Sequence, residues 1–392
     1  MSPAHSPPTK LWLPILATAI ALIVVHGLGR FAYTPLLPML VADGVFSLQT
    51  GATMATWNYI GYLLGAVLAI RFHHPDHIRR ALPLALATSA ITTSLQIIAT
   101  DPTLFLLLRL FNGVSNGIVF VQAPALVLEW LSRHGKLALS GLVYFGVGTG
   151  LLLSNALAWW PHEILHGMDR WWPMALCAIP LAAFSGWHLM RLDRPDSPQA
   201  AAPTPHTTTP LIDRKSLPLF MAYAGAGLGY ILPTTFLPVV AKEQLPADHW
   251  LLGGAWTILA CCTLGAAWLW NQLGARLGDK TALLLNYAIQ GAGVFAPLLF
   301  SGSVGVLLCA VLVGTTFLGS VLLSQRLGRN LHPHQGPRIS AGLVTLYAFT
   351  QLTGPWMARW WLDHGASMTD TYLVGGVALV WAWLWTLRTP KA

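Results

Sequence analysis

Residues 11–41 read LWLPILATAIALIVVHGLGRFAYTPLLPMLV, an apolar run in which His26 and Arg30 are the only readily charged side chains. About 20 such residues carry a helix across a ~30 Å hydrocarbon core, so this run spans a membrane. It is too long for the apolar region of a secretory leader and lacks a small-residue cleavage site. A charge at bilayer depth costs roughly 2.5–3.5 kcal/mol on insertion scales, and such a group faces a polar cavity or a partner. Arg30 is therefore where a site hypothesis starts.

Composition extends that reading to the whole chain. Of 392 residues, 55% are hydrophobic and 9% charged, against roughly 25% charged in an ordinary soluble domain. A soluble fold cannot hide so much apolar surface, which makes lipid the solvent. Several of the 18 Trp fall near span ends (Trp12, Trp130, Trp159, Trp160, Trp171, Trp172 and Trp250), as an interfacial belt would require. The net charge of +8 comes from Lys and Arg scattered over short loops, which argues against a nucleic-acid partner. Cys177, Cys261, Cys262 and Cys309 lie in hydrophobic runs without metal-ligand spacing and read as reduced packing residues. His73, His74 and His77 have no Cys or Glu beside them and read as a solvated loop, so no metal and no cofactor is expected.

Hydropathy with Gly, Pro and charge punctuation predicts spans near 11–41, 50–70, 81–99, 103–130, 137–160 and 171–191. A second set is predicted near 216–241, 250–272, 281–300, 303–325, 339–361 and 370–388. The Pro-, Thr- and Ala-rich stretch between them reads as a flexible tether. The expected domains are thus 1–191, a cytoplasmic linker at 192–215, and 216–392. With the N-terminus inside, every Lys and Arg except Arg30, Arg109, Arg170, Lys242 and Arg359 falls in an inner segment. That bias predicts both termini in the cytoplasm.

The halves repeat at a constant offset of 200 in the numbering. Gly27-Leu28-Gly29 recurs as Gly227-Leu228-Gly229, Thr34 as Thr234, Leu37-Pro38 as Leu237-Pro238 and Leu64-Gly65-Ala66 as Leu264-Gly265-Ala266. Six spans per half keep both copies in the same orientation, a parallel repeat about the membrane normal.

An arrangement of six plus six spans around a central loop resembles the major facilitator superfamily. Within it, Gly27-Leu28-Gly29-Arg30-Phe31-Ala32-Tyr33-Thr34-Pro35-Leu36-Leu37-Pro38 is similar to the first-helix signature of the YbfB/YjiJ family. Arg109-Leu110-Phe111-Asn112-Gly113-Val114-Ser115-Asn116-Gly117 resembles the superfamily's Arg-x-x-x-Gly-x-x-x-Gly pattern on helix four. The resemblance implies an all-α membrane protein, with twelve transmembrane helices in two pseudo-symmetric six-helix bundles. Helices one, four, seven and ten would line a central cavity, in a transporter of a bacterial inner membrane. Two features depart from the superfamily. The loop Arg71-Phe72-His73-His74-Pro75-Asp76-His77-Ile78-Arg79-Arg80 lacks the usual Asp-Arg-x-Gly-Arg order, whereas Ala275-Arg276-Leu277-Gly278-Asp279-Lys280 keeps the Arg and Gly spacing better. The fifth span has Gly141, Gly146, Gly148 and Gly150 but not the Gly-Pro pair associated with antiporters.

Helical spacing places His26, Arg30, Tyr33 and Leu37 on one face, and Arg109, Asn112 and Asn116 on another. At 1.5 Å per residue, Arg30 lies about 16 Å and Arg109 about 9 Å from the outer helix end. The repeat replaces Arg30 by Tyr230 and Arg109 by Cys309, so the cationic character belongs to the first half alone. The acids fall in loops or at span ends, which leaves both Arg without a mid-membrane carboxylate. A substrate anion is then the natural counter-charge. Two readings of each Arg stay open: a substrate anchor, or a group that caps a carbonyl, snorkels outward or locks two helices together. The candidate substrate set is Arg30, Arg109, His26, Tyr33, Asn112, Asn116 and Tyr230. His26 is the internal candidate for proton coupling, or else a hydrogen-bond donor to a neighbouring helix. Glu129 with Arg133, Arg276 or Lys280 is a candidate inner gate, or a plain surface ion pair.

Asn58, Tyr223, Asn286, Gln290, Tyr347 and Gln351 are secondary, because such residues often glue membrane helices together; Gly61/Gly65 and Gly113/Gly117 predict close helix approach. No His-Glu-x-x-His, paired carboxylate or nucleotide-binding glycine loop occurs, which argues against an enzyme and against ATP drive. The expectation is a monomeric secondary transporter of a small, carboxylate-bearing solute, with a proton as coupling ion. Efflux of amphipathic toxic compounds and a non-transporting sensor are the alternatives.

Overall fold

The computed structural model describes residues 12–71, 75–160, 162–192, 212–332 and 336–390. Twelve helical spans account for them, and no strand occurs among the described residues. The first six are α1 (Trp12–Ala42), α2 (Leu48–Arg71), α3 (Pro75–Leu95), α4 (Pro102–Arg133), α5 (Phe145–Trp159, entered through a 3-10 stretch at Leu137–Tyr144) and α6 (Trp172–Met190). The last six are α7 (Leu217–Gln244), α8 (Leu251–Leu277), α9 (Asp279–Leu299), α10 (Ser303–Leu331), α11 (Gly336–Asp363) and α12 (Tyr372–Arg388). Nine spans among the described residues are long and apolar enough to cross a bilayer, and α12 is a shorter apolar helix. α2 and α11 pack on each other between the halves.

Several helices run past the predicted spans: α8 to Leu277, α10 to Leu331 and α3 back to Pro75. Hydropathy stops where the chain leaves hydrocarbon, but backbone hydrogen bonding continues until a breaker ends it. Gly278, at φ +81°, is such a breaker between α8 and α9. Most of the predicted tether lies outside the described residues.

Close helix approach is seen where the small residues predicted it. A Cβ added at Gly61 or Gly65 would strike the backbone of α4, and one at Gly113 or Gly117 that of α2. The Trp belt needs correction. Trp12, Trp160, Trp172 and Trp250 are exposed, but Trp130 and Trp171 are buried inside the fold. Proximity to a span end cannot distinguish a lipid-facing ring from one packed against a neighbouring helix. The four cysteines are free.

The halves are fastened at the end that carries the α1–α2 and α7–α8 turns. Thr34 Oγ1 donates to Thr234 O at 3.2 Å, Tyr59 and Thr235 hydroxyls pair at 2.8 Å, and Lys242 Nζ donates to Pro38 O at 2.9 Å. Arg359 reaches Thr53, and Asn155 Nδ2 donates to Thr257 Oγ1 at 2.6 Å. The first of these contacts follows from sequence. Pro238 has no N–H for the carbonyl four residues back, so Thr234 O is left for a side chain of the other half.

Candidate functional site

The site is built on an irregularity of α1. Trp12–Leu22 is α-helical, Ile23–Phe31 widens into a π-helix, and the α-helix resumes at Tyr33. Ala32 N–H closes the last wide turn on Gly27 O at 2.8 Å. Gly27 and Gly29 make room for this, since a Cβ at Gly27 would strike Gly150 of α5 and one at Gly29 the Asn112 side chain. π-Turns inside helices recur at functional sites. A widened turn leaves carbonyls reachable from the side, and α4 takes two of them. Arg109 Nη1 donates to Gly29 O at 2.9 Å, and Asn116 Nδ2 to Val25 O at 3.0 Å.

That grip shows how Arg109 is held in this arrangement. The residue is buried, and its guanidinium bonds a backbone carbonyl and lies 4.4 Å from the Tyr33 ring centroid, joining α4 to α1. Asn112 is likewise occupied within the first half, donating to Thr92 and Thr93 hydroxyls at 3.2 and 3.1 Å. Tyr33 OH donates to Gly51 O at 2.8 Å. These residues are thus engaged within the first half in this arrangement, while the helix around Arg30 departs from regular spacing at the π-turn.

Arg30 points across to the second half. Its Nη2 donates to Gln351 Oε1 of α11 at 2.6 Å and touches Tyr230 OH of α7 at 3.5 Å. Tyr59, Tyr62 and Phe31 surround the guanidinium, with ring centroids 4.5, 4.8 and 5.1 Å from its carbon. Contacts of that length carry cation–π attraction. Arg30 Nε is buried with no hydrogen-bond partner, and among the described residues no carboxylate is within ion-pair distance of Arg30.

On the far side stands a ladder of near-parallel rings. Phe317 faces Tyr230 at 5.8 Å, Tyr230 faces Tyr347 at 5.2 Å and Tyr347 faces Tyr223 at 4.4 Å, with interplanar angles of 10–17°. His26, one turn before Arg30, stacks on Phe120 at 4.4 Å and leaves Nδ1 unpartnered. Arg30, Tyr230 and Gln351 thus meet where the sequence placed a site. Tyr59, Tyr62 and Phe317 were missed, although the Tyr59/Tyr62 spacing puts two polar-tipped rings on one face of α2. Asn58 and Asn286 serve as glue, donating to Arg109 O and Thr316 O.

The expected gate includes Glu129 and Arg133, whose side chains lie outside the described residues. Lys280 Nζ donates to Leu387 O at 2.8 Å within the second half, and Arg276 is exposed. Among the described residues, Arg326 pairs with Asp279 at 3.1 Å and His332 lies 3.3 Å from Asp213 at this end.

Comparison with known proteins agrees with this architecture. The chain is 27% identical over 295 residues, 70% of each sequence, to a Haemophilus influenzae protein described as "Putative metabolite transport protein". Its fold matches that of the nucleoside transporter NupG, with a TM-score of 0.74 for a mutant form at 14% identity, covering 97% of this chain and 100% of the other. A D-xylose–proton symporter matches with a TM-score of 0.71 at 16% identity, covering 98% and 99%. Residues 22–387 match the family described as the uncharacterised MFS-type transporter YbfB. The chain is therefore a multi-pass membrane transporter that belongs to the YbfB-type family of the major facilitator superfamily.

Proposed function

We propose that this transporter moves a small carboxylate-bearing organic solute through the bacterial inner membrane by alternating access, anchored by Arg30 and coupled to protons. One observation carries this: a guanidinium buried between the two halves whose partners among the described residues are a neutral amide, a phenol and three rings. A buried charge without a counter-ion is costly, and a substrate carboxylate removes the cost while being held by charge-assisted hydrogen bonds. Arg109 and Asn116 act as positioning residues that hold the π-turn. His26 is the coupling candidate, with a free ring nitrogen one turn from the anchor; a proton symporter of the same fold supports that assignment.

With both termini in the cytoplasm, the fastened end faces outward. The arrangement then corresponds to the outward-closed stage of the cycle. A substrate drives the cycle only through its difference in affinity between the two stages. Uptake of labelled carboxylates into proteoliposomes under an imposed proton gradient tests the proposal. Accumulation that collapses with the gradient and with Arg30→Ala is expected. Flux of neutral dyes alone, unaffected by that substitution, refutes it in favour of amphipathic efflux.

A further inference from the structure

We propose that a groove on the membrane face of the second half holds one acyl chain of a phospholipid, at a site independent of the Arg30 anchor. Its volume, about 540 Å³, lies in the range of ligand-holding clefts. The shape follows from helix packing. α11 and α12 both pack on α7 but scarcely on each other among the described residues, which leaves a cleft with α7 as its floor. Gly225 lets the α12 backbone close in, since a Cβ there would strike Ala378 O. Trp381 Nε1 fixes that wall by donating to Met221 O at 3.1 Å. Gly227 does the same for α11, where a Cβ would strike Thr350 Oγ1.

The floor departs from the repeat. Between Pro218 and Ala241 of α7 every residue is buried except Met221, Ala224 and Leu228, which share one stripe. Their first-half mates at the offset of 200, Ala21, Val24 and Leu28, are all buried. Helix seven thus opens to lipid a line that helix one keeps covered. The walls Leu373, Val374 and Val377 are apolar, and the Thr350 hydroxyl is already engaged by Tyr347 O at 3.1 Å. Water has too few partners to fill such a space, and an empty one forfeits the contacts of its lining. From Trp361 to Thr350 the groove runs about 16 Å along α11, and from Leu373 to Trp381 about 12 Å along α12. That is close to half of a ~30 Å hydrocarbon core, the depth of one leaflet, entered at the fastened end. A helix from a second copy, about 10–12 Å across, is too thick for it. An extended acyl chain of the adjacent leaflet matches it in length and width.

Photolabelling tests this in the full-length protein reconstituted with a phospholipid that carries a diazirine in one acyl chain. Adducts mapped by mass spectrometry are expected to concentrate on the half-buried Ala224, Leu228 and Val374. They should exceed those on Leu84 of α3 and Leu176 of α6, which are far more exposed to lipid. Val377→Trp, at an exposed rim position, should cut groove labelling to the Leu84 level and leave Leu84 itself unchanged. Ala224→Leu, which raises the floor, should do the same. Labelling that follows exposure alone, with Leu84 and Leu176 ahead, overturns the acyl-chain site, as does groove labelling indifferent to both variants. A benzophenone side chain installed at Leu373 on the rim should likewise capture phospholipid. A protein dimer as its main product overturns the proposal in favour of a self-interface.

Discussion

Arg30 Nη2 lies 2.6 Å from Gln351 Oε1, tying the first helix of one half to the fifth helix of the other through an acceptor that carries no charge. An amide at this point fixes the guanidinium without neutralising it. A carboxylate would do both. Gln351→Glu is therefore expected to supply an internal counter-ion, raising thermal stability while weakening carboxylate uptake ~30-fold, the worth of about 2 kcal/mol of charge-assisted bonding. Uptake and melting measured side by side check it. Undiminished uptake would show that Arg30 does not meet the substrate's charge.

Arg30→Ala should abolish uptake yet leave membrane insertion intact, because the aromatic box and ring ladder persist without the cation. Arg30→Lys should also be poor. An ammonium keeps the charge but loses the planar fork that grips a carboxylate in one plane. Proteoliposome flux normalised to inserted protein distinguishes the two variants from a folding defect.

How much of this was legible before the structure depends on the physics each residue obeys. Twelve spans, the parallel repeat and the close α2–α4 approach follow from hydropathy, offset and glycine spacing, which are properties of the chain itself. Arg30 and Tyr230 were legible for the same reason: an unpaired charge in an apolar span, and its repeat mate. Arg109, Tyr33, Asn112 and Asn116 were placed on the right helices but not with the partners they hold in this arrangement. The Tyr33 stripe assumed 3.6 residues per turn throughout α1, which the π-turn at Ile23–Phe31 breaks, whereas spacing on α4 does not record that Arg109 and Asn116 turn to α1 carbonyls and Asn112 to Thr92 and Thr93. The Gly27/Gly29 pair signals close approach, yet glycine spacing alone does not specify a widened turn. Gln351 and Phe317 come from distant helices, and nothing in a single sequence records which of their faces meets Arg30.

Arg109→Ala would leave Gly29 O without its side-chain donor and remove the contact with Tyr33. Losing a buried charged partner of this kind costs about 1–3 kcal/mol. The expected result is a lower melting temperature together with weakened substrate affinity, because the π-turn that presents Arg30 loosens. Asn116→Leu should act in the same direction through Val25 O. A double-mutant cycle between the two should show coupling, since both hold one turn. Additive effects would mean that the carbonyls are held independently.

Asp43 at the end of α1 is locked to Arg170, which donates from Nε at 2.6 Å and from Nη2 at 3.0 Å, while Gly167 N–H adds a third bond at 2.6 Å. The Arg170 guanidinium holds the Asp43 carboxyl below its ordinary value of 3.8. A depressed folded-state pKa contributes stability that is complete above the unfolded value, about 3.9, and disappears as pH falls through the folded value. Asp43→Asn should therefore destabilise the protein near neutrality by up to ~3 kcal/mol. The gap from wild type should close as the pH drops below about 4. Melting curves over that range check the sign: a gap that widens in acid would contradict it.

Thr34 and Thr234, equivalent positions of the repeat, meet on the pseudo-axis, with Oγ1 of one 3.2 Å from the carbonyl oxygen of the other. The contact exists because Pro238 leaves that carbonyl free, and Lys242 on Pro38 O reinforces it. Alternating access requires this end to part once per cycle, so a covalent tie there should stop turnover without touching the Arg30 site. The double variant Thr34→Cys/Thr234→Cys is expected to lose flux on mild oxidation and regain it with reductant. Each single variant, carrying the same four native cysteines, should be indifferent to both treatments. Substrate binding measured by thermal shift should survive oxidation, because the anchor and its aromatic box lie deeper than the tie. Full flux through a verified cross-link would mean that the halves do not separate at this end, and a rocking cycle about the pseudo-axis would have to be abandoned.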